Sequence, residues 1–272
     1  MNLLMLETLI ASVAEKKAQL DRLRPLKPHA LDNLEYAQNL ELTYTSNAIE
    51  GNTLTQVETN LIIEEGVTVG GKKLKEHLEA IDHYEAIRYV RDVARRSSSP
   101  LTEFDIRNLH ALVVKRADPE IAGRYADSGR YVNTEAGRRH FPTPAEIPAL
   151  ISDFAAWLGS APATPETAFA AHRRLAEIHP FNDGNGRTAR LLMNLILIRG
   201  GYPPIAVRLE DRLAYIRGLQ EAQANQGDEA FRHLLYERLD ATLGEYLSAL
   251  QEALPEPHSG RRADPQEPTP HG

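Results

Sequence analysis

The stretch Leu191-Leu-Met-Asn-Leu-Ile-Leu-Ile198 constrains this chain more than any other. It is apolar nearly all round, and a helix with no polar face has to be buried. Immediately before it runs His179-Pro-Phe-Asn-Asp-Gly-Asn-Gly-Arg-Thr-Ala-Arg190. A loop rich in Gly and Asn therefore feeds directly into a central, buried helix. Such a loop exposes backbone N–H groups, and the helix N-terminus adds partial positive charge. Together they make an anion site. Arg187 and Arg190 lie three residues apart and share a face in the first turn. The helix dipole disfavours cations there. Two of them beside a nest of N–H groups make sense if a polyanion binds.

Other chemistries fit the loop less well. Asp183-Gly-Asn185 resembles part of an EF-hand loop, but Arg187 stands where another oxygen ligand is needed and no Glu follows at the right offset. The Gly-x4-Gly-Lys-Ser/Thr spacing of a P-loop is absent. His172 and His179 could share a helix face as metal ligands, but Pro180 biases His179 out of a helix. Without cysteine or a His-Glu-x-x-His pattern, zinc is not indicated. A lone helical histidine is usually a core residue, so His172 reads as structural.

The loop resembles the Fic family pattern His-Pro-Phe-x-Asp/Glu-Gly-Asn-Gly-Arg-x-x-Arg at every fixed position. The resemblance implies transfer of AMP from ATP to a Tyr, Thr or Ser hydroxyl of a target protein. His179 would then be the general base. Asp183 would hold Mg²⁺, which keeps several waters and so can manage with one carboxylate. Gly184, Asn185 and Gly186 would offer N–H and amide donors to the α- and β-phosphates. Arg187 and Arg190 would neutralise the β- and γ-phosphates. Phe181 would bury itself beneath the loop and fix it. Other phosphate-linked donors occur in the family, and Gly186-Arg187 favours ATP.

Composition sets the outer bounds. At 272 residues, 42% hydrophobic and 25% charged, this is an ordinary globular chain with room for one large core. A net charge of −7 argues against a general nucleic-acid binder. There is no cysteine, hence no disulfide framework, which is consistent with a reducing compartment. The N-terminus has no basic region before its apolar residues, and no transmembrane span is evident. The expectation is a cytoplasmic protein with no membrane or nucleic-acid partner.

The remaining chain reads as helices. Leu3, Leu6, Ile10, Val13, Leu20 and Leu23 recur at helical spacing up to Pro25. That helix suggests internal packing or a homodimer contact. A second helix runs from about Leu31 to Glu50, with Gly51 placed as its left-handed terminator. Thr55 and Glu58 form a capping box for the next. Glu50 thus sits at the negative end of a helix, where a carboxylate is locally unfavourable. Ser46-x-x-x-Glu50-Gly51 resembles the Fic family's inhibitory motif. A Glu misplaced at one helix C-terminus could meet Arg190, misplaced at another's N-terminus. Residues 72–96 read as a long helix with Leu74, Leu78, Ile81, Ile87, Val90 and Val93 on its apolar side. Its Lys72-Lys73 and Arg95-Arg96 pairs read as solvated charge. Thr102 with Asp105 opens another helix to about Arg116.

Residues 123–144 break the helical pattern. Arg130-Tyr-Val-Asn133 and Arg139-His-Phe141 flank Thr134-Glu-Ala-Gly137 and predict a β-hairpin. In Fic proteins a hairpin flap at this place docks the target segment, which implicates Arg130, Tyr131, Val132, His140 and Phe141. Further helices are expected over residues 144–158, 164–178, 210–225 and 228–254, with Trp157 in the core. By resemblance, Tyr215 and Gln223 would line an adenosine pocket.

The predicted fold is therefore all-α: a Fic-type helical fold around a buried central helix, with one small β-hairpin flap. Residues 1–100 would form an N-terminal helical region with the inhibitory helix at about 31–50. Residues 101–254 would form the catalytic core, and the Pro-rich residues 255–272 a disordered tail. The partners implied are ATP, an unidentified target protein and the chain itself through self-modification. Two alternatives stand beside AMP transfer: Glu50-dependent removal of AMP, and a non-catalytic partner-binding protein with a relict loop.

Overall fold

The computed structural model describes residues 3–26, 31–96, 99–134, 137–224 and 226–252. The helices are α1 (Leu3–Arg22), α2 (Asp32–Ile49), α3 (Gln56–Glu65), α4 (Leu74–Arg96) and α5 (Glu103–Val113), followed after the hairpin by α6 (Ile147–Ser160), α7 (Pro165–Ile178), α8 (Asn185–Arg199), α9 (Arg212–Gln223) and α10 (Glu229–Glu252). The hairpin pairs β1 (Tyr131–Thr134) with β2 (Gly137–His140), antiparallel, with Tyr131 opposite His140 and Thr134 opposite Gly137. Thr134 and Gly137, expected in the turn, are thus the last paired residues of the ladder. The expected disordered tail falls outside the described residues.

The apolar run does become the central helix. α8 packs against α7, α4, α5 and α2. Leu191, Leu192, Met193, Leu195, Ile196 and Leu197 are all buried, each contributing roughly 1.5–3 kcal/mol by leaving water. The one polar residue in the run, Asn194, is buried too. Its amide accepts from the Ile205 N–H at 2.8 Å and donates to the Ile205 carbonyl at 3.1 Å. Satisfying both halves of the amide removes the cost of burying it.

Several local signals hold. Thr55 and Glu58 form the reciprocal capping box of α3, and Thr102 and Asp105 that of α5. Gly51 takes φ +97° just beyond α2, a conformation in which a Cβ would be strained. Others need correction. Leu74 is exposed, while the polar Glu76, His77, Asp82, His83 and Arg91 of α4 are buried. α4 lies between α2 and α8, so it meets polar partners where a one-sided surface helix would meet water. Arg95 is exposed, as expected of solvated charge, with Glu35 beside it, and Lys72 reaches Glu58. Trp157 is only half-buried, under the Arg174 guanidinium at 4.3 Å, and Phe154 takes the interior position. The apolar face of α1, Leu6, Val13 and Leu20, is buried and the helix lies along α10, so that face gives no reason for a second copy. No helix among the described residues is long and apolar enough to cross a membrane.

Candidate active site

The loop between α7 and α8 begins with an unusual backbone. α7 ends at His179, which adopts φ 50° and ψ 56°. It is the only non-glycine described residue with positive φ. Pro180 biases His179 out of the helix, as expected, and the chain turns left-handed there. The His179 N–H donates to the Leu175 carbonyl at 2.9 Å, a helix-ending bond usually made by glycine. Such a conformation costs on the order of 1–3 kcal/mol and has to be held from outside. Arg130 Nη1 donates to the His179 carbonyl at 2.7 Å, and Phe141 stacks on the imidazole at 3.9 Å. Burial, followed by the nearby Arg130 charge, lowers the His179 pKa to about 4. The ring is therefore neutral near pH 7 and able to accept a proton.

Phe181 is fully buried, as expected, and stacks on His110 of α5 with centroids 3.7 Å apart. Nδ1 of His110 accepts from the Gly123 N–H at 3.0 Å, which leaves Nε2 to donate to the Asp183 carbonyl at 3.0 Å. Burial lowers its pKa to about 4, which keeps that neutral tautomer. The role of His110 was not read from sequence. A hint was there: it shares a helical face with Ile106 and Val113, so it lies on an apolar stripe.

Asn185 closes the loop. Its side chain donates to the Phe181 carbonyl at 2.8 Å and accepts from the Phe181 N–H at 2.9 Å. The side-chain amide expected to face phosphate is thus committed to the fold, leaving the backbone N–H. The N-cap of α8 is Gly184, at φ 75°, with no side-chain cap. The first N–H groups of α8 consequently lack an intrahelical acceptor and carry the positive end of the dipole.

Arg187 and Arg190 of α8 are buried and engaged by the N-terminal helices. Arg190 Nη2 donates to Glu50 Oε1 at 2.7 Å and to the Ser46 carbonyl at 2.9 Å, while Nε donates to Ser46 Oγ at 2.9 Å. Nη1 reaches the Tyr215 hydroxyl at 3.4 Å. That hydroxyl also lies 2.7 Å from His172 Nε2, so it donates to His172 while accepting from Arg190. His172 is the end of a chain that positions Arg190. Tyr215 is almost fully buried and meets the guanidinium, whereas Gln223 lines a separate cleft of about 700 Å³ with Thr134, Arg139, Ile216 and Gln220. Glu50 lies directly over Gly186: an added Cβ there would stand 2.1 Å from Glu50 Oε1. Only glycine lets the carboxylate settle on the helix end.

Arg187 Nη1 lies 3.4 Å from Glu79 Oε1, and Nη2 lies 3.3 Å from Asp183 Oδ1. Glu79 Oε2 in turn accepts from Asn52 at 3.0 Å. Asp183 also accepts from the Gly184 N–H at 2.6 Å, and Lys75 Nζ stands 3.4 Å from its other oxygen. Burial pushes this carboxyl's pKa up, but Arg187, the Gly184 N–H and Lys75 outweigh it and hold it below its ordinary value. It is ionised and faces cations. No cluster of three or more His, Asp or Glu suited to a metal exists among the described residues. Asp183 is the carboxylate of this loop that could hold a divalent cation, and Mg²⁺ can manage with one carboxylate and several waters.

On the hairpin, Tyr131 and His140 are exposed on one face, with ring centroids 5.9 Å apart. Val132 is half-buried opposite Arg139. Arg130 donates to backbone carbonyls of His179 and Pro142, so it ties hairpin to loop and does not project toward a partner.

Residues 100–197 match the Fic/DOC family profile. A Fic-domain signaling protein from Bacteroides thetaiotaomicron is 30% identical and superposes with a TM-score of 0.80, over 89% of this chain and 97% of that one. The chain belongs to the Fic family. Residues 134–508 of Fic-1 from Caenorhabditis elegans superpose at a TM-score of 0.76, with 31% identity over 89% of this chain and 71% of that structure. By sequence, the protein adenylyltransferase Fic of Nematostella vectensis is 40% identical over 213 residues, 76% of this chain and 48% of that protein. The chain spans about half the length of the curated relatives it matches. The all-α Fic fold with its two-stranded hairpin is thereby shown.

Proposed function

We propose that this chain is a protein adenylyltransferase, moving AMP from ATP to a Tyr, Thr or Ser hydroxyl. One observation carries the reading: a neutral, held imidazole stands beside an uncapped helix N-terminus with Arg187 and Arg190 in its first turns. The hydroxyl oxygen attacks the α-phosphorus while His179 takes its proton. The new O–P bond forms as the bond to the β-phosphate oxygen breaks, and pyrophosphate leaves. The N–H groups of Asn185 and Gly186 and the two guanidiniums meet the phosphate charge where it develops. Asp183 would hold Mg²⁺, whose contribution is to neutralise phosphate charge. The names of the relatives, which are adenylyltransferases, support this chemistry.

Glu50 acts as a built-in inhibitor, since Arg190 cannot serve Glu50 and the γ-phosphate together. Residues 1–100 would then be the restraining region and 101–254 the catalytic core. A second reading has support in the half-exposed Glu50 carboxylate above Gly186: it could orient water to remove AMP from a modified protein, with His179 as acid. Incubation with Mg²⁺ and either α- or γ-labelled ATP tests the main reading. Label entering protein, including this chain itself, from the α- but not the γ-position is expected. Transfer of γ-label, or none from either even without Glu50, would overturn it. Loss of α-label from a pre-labelled target, dependent on Glu50, would establish the second activity.

A further inference from the structure

Lys75 belongs to α4, more than a hundred residues before the 179–190 loop, yet its ammonium reaches Asp183. The two oxygens of that carboxylate have different partners. Oδ1 takes the Gly184 N–H and Arg187. Oδ2 has Lys75 alone among the described residues, at 3.4 Å. Both side chains of this pair are about half exposed, 49% for Lys75 and 45% for Asp183, so water can separate them. A lysine ammonium is a compact point charge on a flexible stem. It stands beside the oxygen that a divalent cation on this carboxylate would take. Mg²⁺ needs contact at roughly 2.0–2.1 Å with its own waters around it, and two cations cannot share that oxygen without strong repulsion.

We propose that Lys75 competes with the divalent cation for Asp183 Oδ2, and so sets the metal concentration at which the loop is loaded. The inference rests on the reading of Asp183 as the metal ligand. Lys75 acts through Asp183 and is a positioning residue. α2 and α4 then touch the loop and the start of α8 at three charged points: Glu50 on Arg190, Glu79 on Arg187 and Lys75 on Asp183. Each N-terminal group occupies a place that a component of metal-bound nucleotide would take. Once displaced, Lys75 has an anion within reach on its own helix, because Glu79 lies one turn further along.

The test is binding of Mn²⁺ to the full chain, with free metal followed by its electron paramagnetic resonance signal. Wild type, Lys75→Met, Lys75→Arg and Asp183→Asn are compared. Lys75→Met should bind Mn²⁺ roughly two- to fivefold more tightly, the range expected for a half-exposed ion pair. Lys75→Arg, which keeps the charge, should stay near wild type, and Asp183→Asn should lose the site. Lys75 is an exposed side chain, so thermal melts of its variants should overlay wild type. If Asp183→Asn loses binding while Lys75→Met matches wild type, Lys75 does not compete and Asp183 stands as the ligand. Equal tightening in Lys75→Met and Lys75→Arg would also overturn the competition. If Asp183→Asn binds Mn²⁺ like wild type, or no variant binds, the metal reading fails and takes this inference with it.

Discussion

Replacing Glu50 by Gly should speed AMP transfer, and the site geometry bounds the gain. Glu50 supplies one of the four contacts that hold Arg190, a charge-assisted bond of 2.7 Å. Ser46 supplies two and Tyr215 the fourth. A hydrogen bond to a charged group is worth about 1.5–3 kcal/mol. The Glu50 side chain is 40% exposed, and solvent screening brings this to ~1–2 kcal/mol. A bias of that size leaves between roughly one molecule in six and one in thirty with Arg190 free for phosphate. The variant should therefore transfer AMP ~6- to 30-fold faster on that population arithmetic. Because both Ser46 bonds remain, Arg190 keeps its place. Glycine at a helix C-terminus costs little, so the fold should survive. The assay is self-labelling with α-labelled ATP, read as an initial rate against wild type at matched protein and nucleotide. Equal rates, with both proteins folded and binding ATP, would show that Glu50 only ends a helix and that its contact with Arg190 restrains nothing.

Four further outcomes follow from the same geometry. His179→Ala should lower transfer by about 10²–10⁴-fold while ATP binding by calorimetry persists; a wild-type rate would remove His179 as base. Because burial holds His179 near a pKa of 4, the transfer rate should be flat from pH 6 to 8, and a fall centred near 6.5 would contradict a buried neutral base. His83, His110, His172 and His179 all have folded pKa values of about 3 to 4, below their ordinary 6.5. The unfolded chain therefore binds more protons below pH 6.5, so their contribution to stability is fully present above that pH and is lost as pH falls toward 4. Melting temperatures constant from pH 7 to 8 and dropping steadily below 6.5 are expected; a flat profile to pH 4.5 would refute the burial of these rings. His110→Ala should cost about 2–4 kcal/mol in urea unfolding, because it strands the Gly123 N–H and the Asp183 carbonyl and removes the stack on Phe181. A loss under 0.5 kcal/mol would mean that the loop is held by other groups.

The sequence by itself determined whatever a helix settles locally. Thr55 with Glu58 and Thr102 with Asp105 announce helix starts because a capping box closes within four residues. Gly51 announces a stop because only its own φ is involved. The burial of α8 followed from a run with one polar side chain, and its N-terminus without a side-chain cap from the glycine before it. The meeting of Glu50 and Arg190, 140 residues apart, was expected from the resemblance of Ser46-x-x-x-Glu50-Gly51 to the family's inhibitory motif; the dipole conflict at each helix end is visible locally but names no partner. Tertiary structure alone decided the partners that carry no such local mark. Ordinary α4 sequence gives no sign that Glu79 and Lys75 reach the loop, since both would serve equally well in water. Tyr215 reads as an aromatic for a pocket and Asn185 as a phosphate donor until packing commits one to Arg190 and His172 and the other to Phe181. Sequence marks a group whose local environment is wrong for it. Where the local environment is neutral, the choice of partner belongs to the packing that brings distant helices within hydrogen-bond reach.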